Sequence, residues 1–246
     1  MYGLRGRRAW GGWLSWAAVP FVCAAAVILL ARPHAWWPRE VDSGYRRDPR
    51  AVLVCAGDSL TSGLDSRSDE ETYVAHLRRR LACRVINAGT AGDRAEDLSD
   101  RLERDVLRHQ PAVVLLFIGG NDYFERTPRA RLAAGLEAIA SRITAAGARL
   151  VIVEVPTGIV WNQYAGLYRR IANRYGAILV PESRLRLWYS AELLARGRLA
   201  EPLTSDGIHL SPAGAIRVAD WLAPYARAAL SMASVPTAPT GSRAAD

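Results

Sequence analysis

The chain has 246 residues, half of them apolar, which suits one domain with a sizeable hydrophobic core. Its formal net charge of +8 is concentrated at the N-terminus, where residues 1–50 hold eight arginines against three acidic residues. The rest of the chain has no basic stripe beyond Arg78, Arg79 and Arg80, so we do not expect a nucleic-acid partner.

The N-terminal part of the chain predicts a membrane anchor. Residues 9–31 contain no charged side chain; three arginines precede them and Arg32 follows. A helix of this length would reach about 34 Å, enough to cross the hydrocarbon core of a bilayer. We therefore predict an uncleaved single-pass anchor over residues 1–32 in a bacterial cytoplasmic membrane, with the following domain facing outward. The alternative is a signal sequence whose cleavage releases a secreted protein.

After a linker at residues 33–50, short apolar runs alternate with segments of helical periodicity. The runs that predict β-strands lie at residues 51–57, 83–87, 112–120, 149–156 and 177–181. The segments that predict helices lie at residues 71–82, 93–109, 127–148, 164–176 and 210–230. Two of these helices have clear start signals, with Thr127 and Ser211 as N-caps and a proline at the first helical position.

This alternation predicts an α/β domain over residues 51–230, built on a parallel sheet with helices on both faces. Residues 231–246 are rich in Ala, Ser, Thr and Pro and are predicted to form a disordered tail. Sheets of this kind bind ligands beyond the carboxyl ends of their strands. The residues that directly follow each strand are therefore the candidates for function.

Small, polar and titratable residues cluster at these strand ends. The clusters are Gly-Asp-Ser at 57–59, Asn-Ala-Gly-Thr-Ala-Gly-Asp at 87–93, Gly-Gly-Asn-Asp at 119–122 and, just before the last helix, Asp-Gly-Ile-His at 206–209. Each cluster alone is ordinary turn chemistry. Because the carboxyl ends of parallel strands share one edge of a sheet, we expect the clusters to converge.

Together the clusters contain the groups that acyl transfer requires. A serine nucleophile needs a base within hydrogen-bond reach, and the base needs an orienting group. His209 can accept the proton of Ser59, and Asp206, three residues earlier, can hold the imidazole in the required tautomer. The backbone N–H groups of Ser59 and Gly92 and the side-chain amide of Asn121 can donate hydrogen bonds to an oxyanion.

The other histidines compete poorly for the role of base. His34 lies in the linker, and His76 and His109 lie within predicted amphipathic helices. The sequence has no His-x-x-x-His and no Cys-x-x-Cys pair, and its strand-end acidic residues stand singly. We therefore expect no metal in the site.

The four clusters resemble the sequence blocks of the GDSL (SGNH) hydrolase family. The matching stretches are GDSL at 57–60, NAGTAGD at 87–93, GGND at 119–122 and DGIHLSPAG at 206–214. The resemblance implies a flavodoxin-like, three-layer α/β/α fold with a five-stranded sheet. It also implies Ser59 as nucleophile, Gly92 and Asn121 in the oxyanion hole, and Asp206 and His209 completing the triad. The bacterial lysophospholipase- and acyl-thioesterase-like branch, which it most resembles, needs no metal or organic cofactor.

The prediction for function is a serine esterase that hydrolyses small-molecule or lipid acyl esters or thioesters through an acyl-serine intermediate. Ile159, Val160, Trp161 and Tyr164 follow the fourth strand and are expected to line the acyl site, although a core position suits one or two of them equally well. Asp58 is expected to make a turn or N-cap contact. Two alternatives are an O-acetylesterase of cell-envelope carbohydrate or peptidoglycan and an inactive module that binds acylated ligands.

Overall fold

The computed structural model describes residues 48–156, 163–195, 199 and 201–233. The predicted membrane anchor at residues 1–32, most of the linker and most of the predicted tail lie outside these ranges. Within the described ranges, no helix combines the length and the apolar character needed to cross a membrane.

One parallel sheet organises the described residues. Its strands are β1 (Val52–Gly57), β2 (Arg84–Gly89), β3 (Val113–Phe117), β4 (Arg149–Val153) and β5 (Ile178–Val180). The strand order is β2-β1-β3-β4-β5, and every pairing is parallel. This is the flavodoxin-like order, so the predicted five-stranded parallel sheet is confirmed. The central strand β3 is buried along its whole length, as expected where helices cover both faces.

Helices form the two outer layers. They are α1 (Ser59–Ser62), α2 (Tyr73–Arg80), α3 (Ala95–Asp105), α4 (Gly120–Phe124), α5 (Arg129–Ala145), α6 (Leu167–Tyr175), α7 (Ser183–Ala195) and α8 (Pro212–Met232). Helix α2 packs on α8, while α3 packs on α5 and α5 packs on α6. Right-handed crossovers in this strand order place α2 and α8 on one face of the sheet. They place α3, α5 and α6 on the opposite face.

Two helix starts were predicted, and one of them differs in the structure. Ser211 caps α8 as expected, and Pro212 is the first helical residue. At α5, Pro128 is the N-cap instead of Thr127, because its ψ of 136° keeps it outside the helix. Thr127 precedes the helix, and its backbone N–H donates to the Asp122 carbonyl at 2.8 Å.

Helix α7 was not predicted from the sequence. Among its residues, all of which are described, only Leu185 is fully buried. Its apolar side chains do not fall on one face, whereas α3 has a strong apolar stripe. Periodicity therefore could not reveal α7, although this helix proves central to the site.

The end of β1 fixes where the candidate nucleophile lies. Gly57 pairs with Gly89 of β2 on one side and with Phe117 of β3 on the other. A Cβ atom on Gly57 would collide with the Phe117 carbonyl, so only glycine fits here. The chain then turns directly into α1, which begins at Ser59.

Candidate active site

Ser59 lies at the carboxyl edge of the sheet in a turn held by its neighbour. It is the first residue of α1 and is 9% exposed. Asp58 caps this short helix, since its Oδ1 accepts the backbone N–H of Leu60 at 3.1 Å. The cap contact expected for Asp58 is therefore present.

Three of the predicted site residues lie in one chain of hydrogen bonds. Ser59 Oγ is 3.1 Å from His209 Nε2, and His209 Nδ1 is 2.7 Å from Asp206 Oδ2. The backbone N–H and the ring of His209 lower the pKa of Asp206 to about 2, so this carboxyl is ionised at neutral pH. An ionised carboxylate on Nδ1 favours the tautomer whose Nε2 can accept a serine proton.

The loop at residues 203–211, which carries this Asp-His pair, is attached to α7. Glu192 accepts two backbone N–H groups of the loop, at 3.1 and 3.2 Å, and the hydroxyl of Thr204. Tyr189, one turn earlier on α7, donates its hydroxyl to the Ile208 carbonyl at 3.0 Å. Helix α7 therefore holds the loop both at its base and near its tip.

The two further oxyanion candidates come from different loops. Gly92 follows β2 with a φ of +87°, a conformation that favours glycine, and its N–H bonds to no described residue. Asn121 Nδ2 donates to the Asp93 carbonyl at 2.8 Å, which orients the amide and leaves its second N–H for a ligand. Asn121 lines the same cavity as Ser59.

A buried arginine that sequence reasoning missed connects these loops. Arg101 of α3 pairs with Asp93, with 2.5 Å between Nε and Oδ2, and both side chains are almost fully covered. Its remaining nitrogens donate to the carbonyls of Ala88 and Gly57 at 3.0 and 3.1 Å. Because the Asp93 carbonyl receives the Asn121 amide, Arg101 links the ends of β1 and β2 to the oxyanion side of the site.

Asp58 places a carboxyl group in the floor of the site. It is 3% exposed and lines the cavity beside Ser59. Burial raises its pKa to about 6, although hydrogen bonds from the backbone of Leu60 and Gly120 oppose the shift. The bond from Leu60 holds this carboxyl in the nucleophile turn, and its Oδ2 lies beside Gly120, the residue that precedes Asn121.

A cleft of about 390 Å³ opens beside Ser59 and His209. Helix α7 forms one wall, contributing Leu185, Arg186, Tyr189, Ser190 and Leu193. Other apolar side chains on the surface of the cleft are Leu60, Phe117, Phe124, Val155 and Ile208. Arg186 is paired with Glu182 at 2.6 Å, so its charge is compensated. The cleft is therefore suited to an uncharged, apolar group.

Of the four residues expected to line the acyl site, the structure describes one. Ile159, Val160 and Trp161 lie outside the described residues. Tyr164 is 1% exposed and does not border the cleft. Its hydroxyl lies between the backbone carbonyls of Asp122 and Thr127, at 2.9 and 2.7 Å, and shares its hydrogen with them, so Tyr164 has the core position that was the alternative.

Comparison with known proteins identifies the family. A model of the GDSL-like lipase/acylhydrolase family matches residues 55–215, which include all four strand-end clusters up to His209. This is more than half of the chain.

Individual relatives and a solved structure agree with the family match. Esterase TesA of Pseudomonas aeruginosa is 28% identical over 166 residues, 64% of this chain and 79% of the relative. Thioesterase 1/protease 1/lysophospholipase L1 of Escherichia coli K12 is 25% identical over 186 residues, 73% of this chain and 85% of the relative. A crystal structure of TesA superposes with a TM-score of 0.62 at 24% identity, covering 73% of this chain and 99% of that one.

Proposed function

Because the chain belongs to the GDSL-like lipase/acylhydrolase family and is a hydrolase of acyl esters, we propose that Ser59, His209 and Asp206 are its catalytic triad. The observation that carries this proposal is the continuous hydrogen-bonded chain from Ser59 Oγ through both ring nitrogens of His209 to Asp206. Each link has the length and the order that acyl transfer through a serine requires.

The reaction proceeds in two halves. Ser59 Oγ attacks the acyl carbon while its proton passes to His209 Nε2, and Asp206 stabilises the imidazolium that forms. The tetrahedral oxyanion takes hydrogen bonds from the N–H groups of Ser59 and Gly92 and from the Asn121 amide; each such donor contributes about 3 kcal/mol. His209 then protonates the leaving alcohol or thiol. Water attacks the acyl-serine with His209 again as the base, which releases the acid and restores Ser59.

The cleft favours an acyl group longer than acetyl. An apolar cavity of about 150 Å³ holds a benzene ring, so about 390 Å³ gives room for a chain of roughly ten carbons. Each buried CH₂ contributes about 0.8 kcal/mol, roughly fourfold in kcat/KM if the contact is made in the transition state. A medium-chain acyl ester or thioester is therefore the substrate class that the cleft suits best.

A series of p-nitrophenyl esters with two to twelve acyl carbons tests this proposal. We expect kcat/KM to rise by at least about tenfold from acetyl to octanoyl, below the upper bound of about 4,000-fold for six fully buried CH₂ groups. The matched variants are neighbours on α7: Leu193, which is 62% exposed and borders the cleft, and Leu194, which is 79% exposed and does not border it. Leu193→Ala should lower kcat/KM for octanoyl by about threefold or more and leave acetyl unchanged, while Leu194→Ala should change neither.

The same series separates the competing functions. A preference for acetyl would contradict the medium-chain proposal and favour the carbohydrate O-acetylesterase, to be checked with acetylated sugars. Lysophospholipid and acyl-CoA in parallel assays distinguish an oxygen ester from a thioester substrate. If no ester or thioester is hydrolysed, the protein is an inactive module that binds acylated ligands, and the triad proposal fails.

For location, we infer that residues 9–31 anchor the protein in a bacterial cytoplasmic membrane with the hydrolase domain outside. The support is the uncharged segment of sequence, long enough to span, with arginines on both sides. The full-length protein should stay with membranes after alkaline carbonate washing, and an alkaline phosphatase fusion after residue 50 should be active. A mature N-terminus beyond residue 32 would instead show a cleaved signal sequence.

A further inference from the structure

A second carboxylate lies beside the proposed catalytic histidine. Asp65 Oδ2 is 3.8 Å from His209 Nδ1, the nitrogen that Asp206 Oδ2 approaches to 2.7 Å. One atom of each of the three side chains lies within 4.8 Å of the other two. Asp65 belongs to the turn after α1, in which the Ser66 N–H bonds to the Gly63 carbonyl. The segment that carries the nucleophile therefore also places this second carboxylate.

A hydroxyl group ties Asp65 to the loop that carries Asp206. Ser205 Oγ donates to Asp65 Oδ2 at 2.6 Å, and Ser205 directly precedes Asp206 in the loop. The Asp65 side chain is 34% exposed, compared with 45% for Asp206, so neither carboxylate is deeply buried. The two acidic side chains approach the same ring nitrogen from two different segments of the chain.

We propose that Asp65 is a second positioning residue for His209, an inference that rests on the proposed triad. When the Ser59 proton passes to Nε2, the ring becomes positively charged and keeps its hydrogen on Nδ1. Asp206 accepts that hydrogen, and Asp65 adds negative charge on the same side of the ring. If Asp206 is lost, a shift of about 1 Å brings Asp65 Oδ2 within hydrogen-bond distance of Nδ1. Asp65 then takes over the orientation of the imidazole.

Removing Asp206 in the presence and absence of Asp65 tests this proposal. Losing the acidic member of an isolated triad lowers kcat by about 10⁴-fold. We expect Asp206→Ala to lose only about 10²- to 10³-fold, and Asp65→Asn alone to lose a fewfold at unchanged KM. The double variant should lose at least tenfold more than the product of the two single losses, because each carboxylate partly replaces the other. Unfolding midpoints measured in parallel identify losses caused by misfolding.

Ser205→Ala is the matched control, since it removes the tie to the loop and keeps the carboxylate. In the Asp206→Ala background it frees Asp65 Oδ2, so kcat should rise relative to Asp206→Ala alone. If Asp65 only fastens the turn to the loop, Ser205→Ala will instead lower kcat, whereas Asp65→Asn, whose amide oxygen still accepts the Ser205 hydroxyl, will not; this result would overturn the proposal. A double-variant loss equal to the product of the single losses would also overturn it. An inactive wild-type protein would refute the triad itself, a separate result.

Discussion

His209→Ala will lower kcat by about 10⁵-fold or more for the ester that the wild-type protein hydrolyses best. Without the imidazole, Ser59 keeps its proton, and the oxyanion donors alone give only a small residual rate. The stability of the fold should change little, because within the described part of the chain the His209 side chain forms hydrogen bonds only with Ser59 and Asp206. The measurement is steady-state hydrolysis together with labelling of Ser59 by a fluorophosphonate probe, which should become slow in this variant.

His76→Ala is the matched control, because His76 lies on α2, does not border the cleft and contacts Arg79. It should retain kcat within about twofold. Ser59→Ala should lose about as much activity as His209→Ala, and the double variant little more, since groups that act as a unit are not additive. A loss below about tenfold in His209→Ala would mean that a different group is the base.

Much of the site could be predicted because its residues follow strands. Parallel strands bring their carboxyl ends to one edge, so a sequence that places Ser59 and Asn121 directly after predicted strands already implies their proximity. The Asp206–His209 pair is a local feature of one loop, since three residues separate the two side chains. The alternation of elements predicts a parallel sheet, the family resemblance implies its flavodoxin-like order, and the observed sheet agrees.

The parts that could not be predicted depend on contacts between distant segments. Arg101 has the sequence context of an ordinary helix residue, and only the fold shows that it reaches carbonyls of β1 and β2. The wall of the cleft is provided by α7, whose apolar residues face the cleft, the core and solvent in turn and so lack a simple period. Because Tyr189 and Glu192 also hold the loop of His209, substrate packing against α7 and the orientation of the base depend on one helix.

Arg101→Met is the substitution with the largest expected effect on stability. Methionine fills a similar length, but the buried Asp93 carboxylate loses its partner and two carbonyls lose their donors. Removing one member of a buried ion pair costs about 3–5 kcal/mol, which for a domain of this size lowers Tm by about 10 °C. Chemical denaturation at pH 7.5 measures the change in the free energy of unfolding. Arg101→Lys should be intermediate, since an ammonium group can pair with Asp93 but cannot also reach both carbonyls.

Combining Arg101→Met with Asp93→Asn separates the stability lost through the unpaired charge from the stability lost through packing. If the cost comes from the unpaired carboxylate, Arg101→Met/Asp93→Asn should recover more than half of the lost stability.

Burial already raises the pKa of Asp93 although Arg101 opposes the shift, and loss of the guanidinium leaves burial unopposed. When the folded-state pKa lies above the unfolded value, the folded protein binds the proton more tightly. The loss of folding stability caused by the ionised Asp93 carboxylate is therefore full at high pH and shrinks as the pH falls through the folded-state pKa. A destabilisation that is the same at pH 4.5 and pH 7.5, and that Asp93→Asn does not relieve, would show that Arg101 acts through its packing and its carbonyl contacts instead.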